Sequence, residues 1–167
     1  MSAPQEKPPA TANAAGILFV NKWPRPTHCL SGFQAKRDGI TGFGGKAEPG
    51  DYGTYHTACR EVLEELLGIS NPMLAAYMMW EFEPVRQFEA GGYTTFVLTF
   101  GQLERVLAGL KRLQESTAFY DIFPTRVMDC ILRRLVRPDM EVGELALLPI
   151  CMGSGVLMEL LEDVRKM

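Results

Sequence analysis

The stretch Gly44–Ile69, GGKAEPGDYGTYHTACREVLEELLGI, decides how the rest of the chain is read. Its second half has a helical period. Ala58, Val62 and Leu66 recur every four residues between about Thr54 and Leu67, and Gly68 stands where a helix stops. The preceding residues are loop-like: Gly42-Phe43-Gly44-Gly45 is a glycine-dense bend, and Pro49-Gly50-Asp51 is a second turn. Within the helix, Glu61, Glu64 and Glu65 fall at i, i+3 and i+4 and project from one face. Three carboxylates this close raise one another's pKa unless a cation lies among them, and a hard divalent ion such as Mg²⁺ takes oxygen ligands of this kind. Glu-x-x-Glu-Glu alone is ordinary on a solvated helix. Here the opposite face is apolar, so the helix anchors on a core and turns its acidic face to a cleft.

Working outward, Ala14–Asn21 and His28–Lys36 read as strands, the second turning at Arg37-Asp38-Gly39. Asn71-Pro72 breaks the chain after the central helix. Leu74–Phe82 and Tyr93–Phe100 read as strands joined by a loop containing Gly91-Gly92. Amphipathic helices are predicted over Leu103–Gln114 and Pro124–Val136, around an aromatic loop Phe119–Phe123. A last strand, Glu144–Ile150, and a closing helix, Gly155–Lys166, follow. Strands and helices in this order give an α/β sandwich with a mixed sheet, one domain over 14–167 behind a polar, disordered tail at 1–13.

With 167 residues, 47% hydrophobic and 22% charged, the chain can bury a normal core. A net charge of −3 argues against a protein that tracks nucleic-acid phosphates over a long footprint. No apolar run approaches the ~20 residues of a membrane helix, and the opening residues do not read as a signal peptide. Cys29, Cys59, Cys130 and Cys151 are too far apart for a zinc motif. Reduced, mostly buried cysteines and an intracellular location, cytoplasmic or nuclear, are expected.

The quoted stretch resembles the Nudix box: a glycine, a spaced acidic residue, Arg-Glu, an apolar residue, any residue, Glu-Glu, and a closing glycine with an apolar neighbour. Gly45, Arg60, Glu61, Val62, Glu64, Glu65, Gly68 and Ile69 match by type. Three features depart from the pattern. Asp51 stands for the spaced Glu, with Glu48 nearby. Eight residues rather than seven separate Asp51 from Arg60, and two, Leu66 and Leu67, rather than one separate Glu65 from Gly68. The longer spacing, with Arg37-Asp38-Gly39 before the glycines, is similar to that of Nudix enzymes that decap small nucleolar RNA and hydrolyse inosine diphosphates. A proline usual between the Phe and the glycines of that group is missing.

The resemblance implies a Nudix-type α/β/α sandwich and a hydrolase acting on a diphosphate linkage in a nucleotide or capped-RNA substrate. It implies that Glu61, Glu64 and Glu65 hold Mg²⁺ or Mn²⁺, with a Gly45 carbonyl in reach, and that Arg60 fixes the glutamates. Glu144, just before an apolar-Pro-apolar strand, is the expected distant catalytic carboxylate, with Glu141 a weaker choice. Lys36, Arg37 and Trp80 are candidate substrate contacts. Phe82, Phe88 and Tyr93 can stack a purine as well as fill a core. His28 and His56 are lone histidines, more often structural than functional. Arg133, Arg134 and Arg137, with Lys111 and Arg112, form either a basic strip for RNA or a solvated helix face. The alternatives are a non-catalytic module of the same fold that binds RNA or a protein partner, and a structural domain whose acidic helix matches by accident.

Overall fold

A computed structural model describes residues 14–34, 36 and 39–150. The expected tail at 1–13, Arg37, Asp38, Cys151 and the expected closing helix lie outside the described residues.

The central strand is β1 (Ala14–Val20), a near-continuous apolar run. Such a run suits a strand covered on both faces. It pairs in parallel with β6 (Tyr93–Thr99) along its whole length. Its other edge is shared. Ala14–Ile17 pair antiparallel with β4 (Phe43–Lys46), whereas Phe19 and Val20 pair antiparallel with β2 (His28–Gln34). β2 carries the short β3 (Ile40–Thr41) and, along its length, β7 (Val142–Pro149); β5 (Arg86–Ala90) forms a hairpin with β6. The product is a seven-stranded mixed sheet. Ala15, Ile17, Phe19, Phe96 and Leu98 face the main core, and the alternate Leu18, Val20 and Val97 face a smaller cluster with Cys29 and Ile150.

The main core is closed by α1 (Thr54–Val62), α2 (Pro72–Glu81), α3 (Phe100–Arg112) and α4 (Val127–Leu132). The first extends into a π-helical turn, Leu63–Leu67, and ends at Gly68 in the left-handed conformation (φ 66°). A π turn is how a helix absorbs one extra residue. The second residue between Glu65 and Gly68 is therefore accommodated without moving the glycine stop.

Several sequence expectations fail here, including the loop expected before Tyr93, which contains β5. Gly42–Gly45 is not a bend; Phe43–Lys46 is a strand edge-on to β1, with Gly44 opposite Gly16. Its glycines serve close approach rather than turning. Leu74–Phe82 is not a strand but falls in α2. Asn71 caps this helix by accepting the Met73 N–H at 3.0 Å, Pro72 occupies its first position, and Leu74, Ala75, Ala76 and Met78 are strong helix formers. Trp80 is 74% exposed on the helix, and Phe82 is buried just past its end.

α4 is shorter than predicted. Asp129 accepts from the Thr125 and Arg126 N–H groups, which starts the helix late, and the Leu135 N–H leaves it for the Phe119 carbonyl. Cys29, Cys59 and Cys130 are buried and free. Among the described residues no helix is long and apolar enough to cross a membrane. The α2 cap is testable: Asn71→Ala should lower unfolding free energy by about 1 kcal/mol, read as a reduced urea midpoint at unchanged m, and Asn71→Gly by only a few tenths.

Candidate active site

The site is organised by one guanidinium. Arg60, 6% exposed on α1, reaches back over the loop that joins β4 to the helix. Its Nε donates to Asp51 Oδ1 (3.1 Å), and Nη2 donates to the Lys46 carbonyl (2.8 Å) and Asp51 Oδ2 (3.3 Å). Its Nη1 pairs with Glu61 Oε1 (2.9 Å) and Glu64 Oε2 (3.2 Å), with Glu48 farther off at 3.7 Å. Asp51 is half-buried and also accepts from the Glu48 N–H and the Thr57 hydroxyl; His56 Nδ1 lies 3.1 Å from it. Burial would raise the Asp51 carboxyl, but Arg60 and these other partners hold it well below the usual carboxylate range. The Arg60 guanidinium is likewise held in its charged form against burial.

Glu65 is held by β4 and not by Arg60. It is 9% exposed and accepts the Gly44 N–H at 2.8 Å. Burial, opposed by that hydrogen bond and reinforced by the charges of Glu61, Glu141 and Glu64, pushes its carboxyl up to about 8. Burial also raises Glu61, with Arg60 opposing and Glu64 and Glu141 adding. Tyr93 stands beside this pair. Burial and then the charges of Glu65 and Glu61 push its hydroxyl to about 12.

The glycines make the approach possible. A Cβ on Gly16 or Gly44 would collide with the Tyr93 hydroxyl, and one on Gly45 would stand 2.5–2.7 Å from the Glu61 carboxylate. Backbone from β4 and carboxylates from the helix thus meet across a gap no side chain fills.

Among the described residues, no three Asp, Glu, His or Cys side chains converge as a ready-made metal cage. Glu61 and Glu64 lean on Arg60, and Glu65 leans on Gly44, which spreads like charges apart. The donor chemistry nevertheless fits a hard divalent cation: oxygen donors, backbone brought close at Gly45, and a carboxyl raised first by burial and then by the charges of its neighbours.

Of the residues picked out by sequence, Arg60, Glu61, Glu64, Glu65 and Gly45 come together. Glu144 does not join them by any hydrogen bond or charge effect; it is exposed on β7 in a groove with Phe33, Val136 and Arg137. The distant carboxylate whose charge reaches Glu61 and Glu65 is Glu141. Glu141 lines a cavity of about 370 Å³ with Gln34, Lys36 and Asp139, so Lys36 shares a cavity with Glu141. Trp80 stands in solvent on α2, and Arg37 lies outside the described residues.

His56 is fully buried between Asp51 and the Pro72 carbonyl (3.2 Å), a structural role, and His28 joins the loop around Asn21 through Thr27. Of the residues offered either as a basic strip or as a solvated helix face, Lys111, Arg112 and Arg137 are exposed. Arg133 is exposed and paired with Asp129, but Arg134 is turned inward and buried. Neither Asp51 as the anchor of Arg60 nor Tyr93 at the site was assigned from sequence. Asp51 carried a signal in its turn and its spacing; Arg134 carried none, because its burial depends on residues far along the chain.

Compared with known proteins, the chain matches no family model and no curated protein.

The raised Glu65 carboxyl has a definite pH signature. Between an unfolded value of about 4.5 and the folded value of about 8, the folded protein binds more protons than the unfolded one. Stability of the metal-free protein should therefore fall as pH rises from 5 to 8, and Glu65→Gln should flatten that slope in thermal melts. Added Mg²⁺ should restore stability at pH 8 in the wild type but less in the variant.

Proposed function

We propose that this chain is a metal-dependent hydrolase of the Nudix type, folded as that α/β/α sandwich, which cleaves the diphosphate linkage of a nucleotide-type substrate. The observation that carries the proposal is the carboxylate set of Glu61 and Glu64, ordered by Arg60, and Glu65, held by the Gly44 N–H, with the Gly45 backbone against Glu61. All three glutamates expected of the resemblance are present, and the charges of Glu61 and Glu64 reach Glu65. The two spacing departures are absorbed locally, one by the π turn and one by the loop in which Gly50 and Gly53 adopt positive φ.

Glu61, Glu64 and Glu65 are the residues that would hold Mg²⁺ or Mn²⁺, with backbone at Gly45 in reach. A bound divalent cation supplies charge neutralisation at the diphosphate oxygens and a lower pKa for an attacking water. The chain's own residues do the rest. Arg60 fixes Glu61 and Glu64 while Asp51 fixes Arg60, so the carboxylates are ordered before substrate arrives. Gly44 orients Glu65 through its N–H. Glu65, held up to about 8, is the member of the set able to hold or release a proton near neutrality before a cation binds. Lys36 is placed to attract substrate phosphate into the cavity beside Glu141.

A second cleft supports a nucleotide-type substrate. It has a volume of about 170 Å³ and is lined by Gly16, Leu18, Ser31, Thr41, Tyr93 and Thr95, with no charged side chain around it. That is below the roughly 300–1,000 Å³ of pockets enclosing whole drug-sized ligands. It suits one neutral ring system, with Tyr93 standing between the cleft and the glutamates. Nucleoside diphosphates and the 5′ cap of RNA both carry a base, through its ribose, on a chain of phosphoanhydride-linked phosphates.

The test is hydrolysis of nucleoside di- and triphosphates, dinucleotides and capped RNA with Mg²⁺ or Mn²⁺. Metal-dependent turnover is expected, lost in Glu64→Gln and Glu65→Gln with circular dichroism unchanged. Full activity in both variants would sink the metal assignment. No turnover on any substrate, with tight RNA or partner binding in metal-free protein, would place the chain among non-catalytic modules of this fold.

A further inference from the structure

The π turn that follows α1 ends in carbonyls that the helix cannot satisfy itself, and each has an identified partner. Leu63 O accepts from Ile69 N–H and Glu64 O from Gly68 N–H. Leu67 O accepts from the Thr117 hydroxyl. The remaining two belong to Arg134, whose Nη2 donates to Glu65 O and whose Nη1 donates to Leu66 O, both at 2.6 Å.

The rest of the same guanidinium faces the start of β7. Nη2 donates to Val142 O (2.8 Å), Nε to Gly143 O (2.6 Å), and Nη1 to the Tyr120 hydroxyl (3.0 Å). All five guanidinium protons therefore have acceptors, which is the full capacity of the group. Phe119 and Tyr120 lie against it, with ring centroids 5.0 and 5.8 Å from its central carbon. Arg134 is 9% exposed and lies outside the carboxylate set.

We infer that Arg134 is a positioning residue for the proposed active site: its planar fork fixes the backbone of Glu65 relative to the strand start that bears Glu141. One end of the clamp holds Glu65 by its own carbonyl. The other holds Val142 and Gly143, immediately after Glu141. The two acidic residues come from segments 76 positions apart in sequence, and Arg134 bonds to both segments. A structural arginine elsewhere in the core would add stability alone. This one sets the separation of two carboxylates, and hence the geometry offered to a cation. The assignment rests on the function proposed above only in that it concerns the same carboxylates.

The test measures Mn²⁺ binding by electron paramagnetic resonance, which needs no turnover. Arg134→Lys keeps the charge but loses the fork and should weaken Mn²⁺ binding about tenfold, in the range seen when an outer partner of a metal site is removed. Leu110→Ala, a cavity in the core on α3, should lower the melting temperature without changing the affinity. In a double-mutant cycle, Glu141→Gln should weaken binding less in the Arg134→Lys background than in the wild type.

If Arg134→Lys does not fold, Tyr120→Phe, which removes one acceptor of the clamp, should weaken binding by about two- to threefold. Wild-type affinity in the folded Arg134→Lys protein, or in Tyr120→Phe where that variant is needed, overturns the inference. So does an equal loss in Leu110→Ala. A wild-type protein that binds no Mn²⁺ overturns both this inference and the proposed function, whereas one that binds Mn²⁺ without hydrolysis overturns only the latter.

Discussion

A guanidinium buried to the extent of Arg60 must find acceptors for its protons, and here it finds them in both the loop before α1 and the helix itself. Asp51 supplies the permanent counter-charge, and Lys46 O ties the same group to the end of β4. An ion pair in this setting contributes little net stability beyond the cost of desolvating it, but removing either partner leaves an uncompensated charge. What the pair contributes is position. The loop cannot move without breaking it, and Glu61 and Glu64 inherit their orientation from the remaining guanidinium nitrogen. The local chemistry of the carboxylate face follows from that constraint.

The second constraint is steric. β1, β4 and β6 lie side by side so that Gly16 and Gly44 face each other and the Tyr93 hydroxyl occupies the space above them. The same absence of side chains lets the Gly44 N–H reach Glu65 and lets Glu61 lie against Gly45. A sheet built with larger residues at these positions would hold the helix off. The carboxylates would then be solvated, with ordinary pKa values and no backbone nearby. Close packing, rather than the acidic residues by themselves, turns an acidic helix face into a site.

The π turn joins these constraints to the far end of the chain. One added residue widens the helix at Leu63–Leu67, and the exposed carbonyls it creates are taken by Thr117 and Arg134. The segment from Thr117 to Arg134 therefore completes the helix end as well as adding bulk. Its aromatic residues Phe119 and Tyr120 exclude water from the guanidinium, which strengthens each of those hydrogen bonds. An apparent irregularity in spacing is thereby tied to a distant part of the fold.

The sequence by itself determined what depends on short-range periodicity. The helical run from Thr54 to Leu67, the Gly68 stop, and β1, β2, β6 and β7 were all legible, because apolar repeat and glycine position act within a few residues. It misread α2, where burial on more than one side erases the helical contrast and the capping Asn71-Pro72 looks like a break. It misread β4, where glycine signals close approach and not a turn. Only the tertiary structure decided which distant groups join the glutamates. The charge of Glu141 reaches Glu61 and Glu65, Tyr93 comes from the next strand, and Arg134 turns inward although its neighbours Arg133 and Arg137 stay exposed. Those outcomes depend on strand register and on carbonyls left over at a helix end, which are properties of the folded chain and leave no mark in the local order of residues.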